Sequence, residues 1–93
     1  MKSVLLSSFT VKNAADWKAN YHSESSVAMR ARAGMHPLAV YQAIDNENHL
    51  TVLTEVDDMA TFRAMMSSPE FAAETDRAGM TSKMEVQVIT PMA

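Results

Sequence analysis

The sequence predicts an α+β domain of order βαββαβ with a four-stranded antiparallel sheet. Three observations lead there. The tetrapeptide Arg-Ala-Gly-Met occurs twice, ending at Met35 and at Met80. Its glycines, Gly34 and Gly79, are the only two in the chain. Each closes a stretch of helical character and is followed within a few residues by a β-type run. Strand, helix, glycine and strand are thus written twice in 93 residues.

Val4 to Val11 is the first strand, alternating through Leu5, Ser7 and Phe9. Asn13 suits an N-cap, because its side chain can accept an orphan helix N–H. One helix is expected from Ala14 to Ala33, with Trp17, Tyr21 and Ala28 on one face and Ser25 between them. Gly34 takes the left-handed position after it, and Met35 supplies the hydrophobic contact that accompanies such an ending. Arg30 and Arg32 complement the helix dipole in the last turn. Pro37 to Ile44 is the second strand, Asp45-Asn46-Glu47-Asn48 the turn, and His49 to Val56 the third strand. Asp57-Asp58 caps the second helix at Met59. Ser68-Pro69-Glu70 interrupts it; Ser67 or Ser68 recaps, and Pro69 suits a first helical turn. Gly79 closes this helix. Met84 to Thr90 is the last strand, ended by Pro91. The arrangement is the split βαβ or ferredoxin-like one, with expected sheet order 4-1-3-2.

A register that carries Gly34 onto Gly79 also carries Trp17 onto Phe62, Lys18 onto Arg63, Ala28 onto Ala73, Gln42 onto Gln87 and Ile44 onto Ile89. This is the pattern a pseudo-twofold requires. Strand alternation then assigns Leu5, Ser7, Phe9, Val11, Ala39, Tyr41, Ala43, Leu50, Val52, Thr54, Val56, Met84, Val86 and Val88 to the helix-covered face. The opposite face receives Val4, Leu6, Leu38, Val40, Ile44, Leu53 and Ile89 among polar residues. Seven large aliphatics are too many for a face left in water. Fully burying each is worth roughly 1.5–3 kcal/mol, so a second copy of the same face is the expected cover. The expected assembly is a homodimeric α+β barrel.

The length fits one domain, residues 1–93. A core of this size is marginal, and with no cysteine neither a disulfide nor thiol chemistry can contribute. The net charge of -3 and the lack of a basic stripe argue against nucleic acid. No apolar run approaches a membrane span, and the short N-terminal apolar patch is a strand rather than a signal peptide. A cytoplasmic protein is expected. The three histidines show no ligand spacing, so no metal is expected. No phosphate-binding glycine loop exists, since both glycines serve as helix caps.

On the helix-covered face, Ser7, Ala39 and Ala43 are small beside Phe9 and Thr54. They face Trp17, Tyr21 and a methionine-rich second helix with Met59, Met65 and Met66. Small strand residues opposite adaptable ones can leave a pocket for a flat hydrophobic ligand. The same residues can also interdigitate into a solid core. His22 is the candidate for proton transfer, against the plainer role of a solvated helix residue. Tyr41 is the candidate general acid or carbonyl-orienting group, against a structural hydrogen bond. Trp17 is first of all a core anchor.

Several of these segments resemble a known group. They are Asp16-Trp17-Lys18, Arg30 with Ala33-Gly34, the block Val56 to Arg63, Ser68-Pro69-Glu70-Phe71, and Arg77-Ala78-Gly79. Together they resemble the dimeric α/β-barrel superfamily, which includes antibiotic-biosynthesis monooxygenases, polyketide cyclases, haem-degrading enzymes and stress-responsive barrel proteins. The resemblance spans about Val4 to Thr90. It implies a homodimer and, for the monooxygenases, chemistry without metal or flavin, the substrate itself being activated for oxygen. No cofactor is therefore expected. The haem degraders' Asn–Trp–His set has no clear match, since Trp17 lies in the first helix. Two readings stay open. One is a cofactor-independent monooxygenase or cyclase acting on an aromatic or polyketide-like substrate. The other is a non-catalytic ligand-binding or stress-associated barrel.

Overall fold

The chain folds as β1 (Ser3–Thr10), α1 (Ala14–Tyr21), α2 (Glu24–Arg32), β2 (Met35–Ala43), β3 (Asn46–Val56), α3 (Met59–Met66), α4 (Pro69–Arg77) and β4 (Glu85–Ile89). The computed structural model describes residues 2–90 and 92, so the expected stop at Pro91 lies outside the described residues. The sheet is antiparallel in the order β2-β3-β1-β4, as the ferredoxin-like arrangement requires.

The helix expected from Ala14 to Ala33 is two helices. His22 and Ser23 leave the helical path, and Ser23 is extended at φ -67°, ψ 155°. Its Oγ accepts the Ser26 N–H at 3.3 Å and its hydroxyl donates to the Asn20 carbonyl at 2.6 Å. Ser68 does the same between α3 and α4, accepting from Phe71 N–H at 3.2 Å and donating to Met65 at 2.6 Å. The register that carries Gly34 onto Gly79 also carries Ser23 onto Ser68 and the cap Asn13 onto the cap Asp58. Both halves therefore use one pattern of caps, in which a side-chain oxygen satisfies an orphan N–H. Gly34 and Gly79 sit at φ 68° and 72°, the left-handed region that a Cβ disfavours.

The β1–β3 register pairs Leu5 with Thr54, Ser7 with Val52 and Phe9 with Leu50. All six are buried on the helix side. Strand β2 departs from expectation. Pro37 pairs with Thr54, but Ala39 pairs with Leu53, so Leu38 is an extra residue in a β-bulge. Beyond it the alternation is inverted. Val40 and Gln42 pair with Val52 and Leu50 on the helix side; Ala39 and Tyr41 pair with Leu53 and Thr51 on the open side. The hairpin turn is Ile44-Asp45, shorter than the expected four residues, so Ile44 is fully exposed at its tip and is not part of the open sheet face. Val4, Leu6, Leu53 and Ile89 remain on that face, each partly exposed.

Two buried clusters hold helices to sheet. One is Phe9, Val11, Trp17, Leu50, Val52 and Ala78; the other is Leu5, Val56 and Phe62, with Met35, Met59, Met65 and Met66 packed on it. Val86 and Val88 face the helix side by register, yet the helix layer leaves them exposed. Among the described residues, no helix is long and apolar enough to cross a membrane.

Candidate functional site

A cavity of about 100 Å³ lies where the two clusters meet, between sheet and helices. Strands β1 and β3 contribute Ser7, Phe9, Val52 and Thr54 to it; Trp17, Asn20 and Tyr21 come from α1, and Ser26, Met29 and Arg30 from α2. The second half adds Phe62, Met65 and Met66 from α3 and Phe71, Glu74 and Thr75 from α4. Most of these are partners under the internal repeat, for example Ser7 with Val52, Phe9 with Thr54, Tyr21 with Met66 and Arg30 with Thr75. The cavity thus sits on the pseudo-twofold.

Tyr21 forms the centre of a layered wall. The Trp17 ring stacks on it at 4.6 Å and 21°, and the Arg30 guanidinium lies 3.8 Å from its centroid. The Tyr21 ring is thus packed against both an indole and a cation. Arg30 also donates from Nη2 to the Tyr21 carbonyl at 2.7 Å. The Tyr21 hydroxyl is buried without a hydrogen-bond partner among the described residues. Burial raises its pKa above the usual tyrosine value, with the Arg30 charge opposing. It is therefore a neutral O–H with an unused donor.

Glu74 of α4 also borders the cavity and is only 4 % exposed. Burial pushes its carboxyl up, but hydrogen bonds from Arg77, Ser26, Asn20 and Ser25 outweigh that and bring it down to about 2. Ser26 Oγ donates at 2.9 Å, Ser25 Oγ at 3.1 Å and Asn20 Nδ2 at 3.2 Å, while Arg77 forms the ion pair. These bonds tie α1 and α2 to α4. An ionised carboxylate so fully engaged is a clasp rather than a proton acceptor.

Of the residues expected at the site, Ser7, Phe9, Trp17, Tyr21, Thr54 and Met66 border this cavity. Met59 does not; it packs on the Leu5–Val56–Phe62 cluster. Ala43 is carried away by the β2 bulge and pairs with Asn46 at the hairpin. Tyr41 is corrected most plainly: the bulge turns it to the open sheet face, where it is 57 % exposed. His22 faces an outer groove of about 540 Å³, on the far side of the Trp17–Tyr21 wall, together with Lys18, Val40 and Gln42. His36 pairs with Asp57 at 2.9 Å and His49 contacts Thr10 at 3.2 Å.

Sequence reasoning misses Glu74; it allows Arg30, like Arg32, to attract an anionic ligand but assigns both to the helix dipole. Arg30 is not a solvated helix-end charge; it is 8 % exposed. Helical spacing offers the signal, because Ser26, Met29 and Arg30 share the buried face once α2 is restarted at Ser23. Glu74 carries no such local signal, as its partners Asn20, Ser25 and Ser26 are remote in the chain.

No family model matches the chain, and no curated protein does. Solved structures do. A protein from Bordetella bronchiseptica with the provisional name antibiotic biosynthesis monooxygenase superposes with TM-score 0.78 at 13% identity, covering 99% of this chain and 98% of its own. SnoaB, a cofactor-independent oxygenase from Streptomyces nogalater, gives TM-score 0.73 at 16% identity, covering 99% and 94%. A protein from Bacteroides thetaiotaomicron, provisionally named like the first, gives 0.69 at 23% identity, covering 99% and 90%. At these identities the likeness carries the fold and leaves the chemistry to be argued from side chains. The chain therefore has the ferredoxin-like fold of the antibiotic biosynthesis monooxygenase-like proteins, the group its own segments resemble.

Proposed function

We propose that this protein binds a flat aromatic or polyketide-like small molecule between sheet and helices and oxygenates it without a cofactor. The observation that supports the reading is Tyr21, a residue that borders an apolar cavity and whose hydroxyl is a buried donor with no partner among the described residues. A native structure retains such a group for a reason, and a ligand oxygen is one. In an oxygenation of this kind a methylene beside an aromatic ketone gives its proton to solvent before binding, so that the substrate enters as its enolate. The carbanion adds dioxygen, and the hydroperoxide loses water to leave a carbonyl: CH₂ plus O₂ gives C=O plus H₂O. Tyr21 would donate to the enolate oxygen. The cavity is smaller than a fused-ring ligand, so Met65, Met66, Met80 and Met84 would have to shift, as unbranched thioethers can.

The test is oxygen uptake with a panel of reduced hydroxyaromatic ketones, in the presence of chelator and with no flavin. Stoichiometric uptake that falls roughly 10²-fold in Tyr21→Phe is expected. Tight binding without uptake would instead favour a second reading, a ligand-binding barrel without turnover. One observation favours that alternative. The cavity's carboxylate is held at about 2 by four donors, and His22 lies beyond the Trp17–Tyr21 wall, so neither base reaches the inner cavity as it stands.

The functional unit in this proposal is a homodimer joined through the open sheet face. Val4, Leu6, Leu53 and Ile89 form its apolar centre, and Tyr41 is exposed beside them. Light scattering at micromolar concentration is expected to give twice the chain mass; a monomer there would sink this part of the proposal.

A further inference from the structure

The charges around the inner cavity do not cancel, and the imbalance bears on what the cavity accepts. Arg30 and Glu74 are the charged side chains that border it. Glu74 is paired with Arg77 and takes three further hydrogen bonds. Arg30 has no carboxylate within ion-pairing distance among the described residues. It has five N–H donors, and one is used, on the Tyr21 carbonyl. An arginine residue more than nine-tenths buried, without a counter-ion, is costly to hold in a folded protein. The Tyr21 ring under it offsets part of that cost. The Tyr21 hydroxyl, equally unpartnered, belongs to the same ring. An uncompensated cation and an orphan hydroxyl thus belong to two stacked residues that border one apolar space.

We infer that the cavity takes its aromatic ligand as an oxyanion, with the Arg30 guanidinium as counter-ion and the Tyr21 O–H as hydrogen-bond donor. The inference rests on the proposed binding function and names its ligand class: a ring bearing a phenolate or enolate oxygen, or a carboxylate. Each of these completes the charge balance that the chain leaves open, and an anion here gives the unused donors of both groups an acceptor. Glu74, the one opposing charge at the cavity, is already neutralised by Arg77 and does not repel the ligand strongly.

The experiment uses three single-ring probes on the intact protein. 4-Nitrophenol reports its own ionisation by visible absorbance, benzoate carries the anion as a carboxylate, and toluene carries none. The expected result is that bound 4-nitrophenol ionises at a pH at least about one unit lower than the free compound, a tenfold preference for the phenolate. Arg30→Met is expected to remove that preference while toluene binding persists, and Tyr21→Phe to weaken it by a smaller factor. Benzoate binding with no phenolate binding would still support the inference and identify the oxyanion as a carboxylate. Toluene binding with no preference for either anion overturns it and leaves the proposed binding function standing. Binding of none of the three overturns both. The wild-type titration decides the anion preference even if Arg30→Met does not fold; a preference that survives in a folded Arg30→Met removes Arg30 from the assignment.

Discussion

The helix pair α1–α2 and the helix pair α3–α4 share a backbone plan and differ in what they present to the cavity. Both begin at a side-chain cap, Asn13 or Asp58, restart at a serine, Ser23 or Ser68, and end at a left-handed glycine. Position for position, Trp17, Asn20, Tyr21, Ser26 and Arg30 in the first pair face Phe62, Met65, Met66, Phe71 and Thr75 in the second. The first pair supplies a rigid aromatic layer and a cation. The second supplies two deformable methionines and two phenyl rings, with Glu74 and Thr75 as its polar members. Caps and glycines fix where helices start and stop; they do not constrain the faces between. One backbone plan can therefore carry a recognising wall and a yielding wall.

Truncating the anchors should break the comparison most severely. Trp17→Ala removes the residue on which both Phe9 and Tyr21 rest, with ring centroids at 5.7 and 4.6 Å. A loss of about 3–5 kcal/mol is expected in urea denaturation. Phe62→Ala is expected to cost less within that range, because the methionines beside it can close on the gap.

Glu74→Gln tests the clasp that joins the two halves. A loss of roughly 1–3 kcal/mol at neutral pH is expected. The carboxyl's folded pKa, about 2, lies below its ordinary 4.5. The stabilisation is thus fully present above pH 4.5 and is lost as pH falls towards 2. The gap between wild type and Glu74→Gln should therefore narrow across that window; a gap that stays constant would remove the linkage argument.

The two glycines sharpen the comparison further. Alanine at either is strained by its positive φ, at about 1–2 kcal/mol. At Gly34 the new Cβ would also meet the Asp57 side chain at 3.3 Å, whereas at Gly79 the nearest contact is Lys12 Cβ at 3.8 Å. Gly34→Ala is expected to lower the melting temperature more than Gly79→Ala. Equal shifts would show that the backbone angle alone governs both sites. Smallest of all, Ser23→Ala and Ser68→Ala should cost about 1 kcal/mol each. Closely similar values in thermal unfolding would support equivalent caps.

Element order, sheet order and the glycine endings were legible because local signals agree with tertiary ones there. The restart at Ser23 was not read: the helical spacing of Trp17, Tyr21 and Ala28 suggests one continuous helix, although the repeat carries Ser23 onto Ser68. Strand β2 misled for a different reason. Leu38-Ala39-Val40-Tyr41 is apolar at both phases of the alternation, so nothing in the pattern reports an extra residue. The aromatic and methionine wall followed from helical spacing. The burial of Arg30 and Glu74 did not, because the ring and the donors that compensate them are brought close only by folding.

The extra residue in β2 makes the molecule's two sides alternatives for one set of side chains. Val40 and Gln42 now border the outer groove while Tyr41 stands on the open sheet. Deleting Leu38 would remove the bulge yet keep Val40 opposite Val52 and Tyr41 opposite Thr51, whereas flattening the strand with Leu38 retained would exchange them, sending a phenol inward and a valine outward. The one unpaired residue, rather than the composition of the strand, thus decides which side of the sheet receives the phenol.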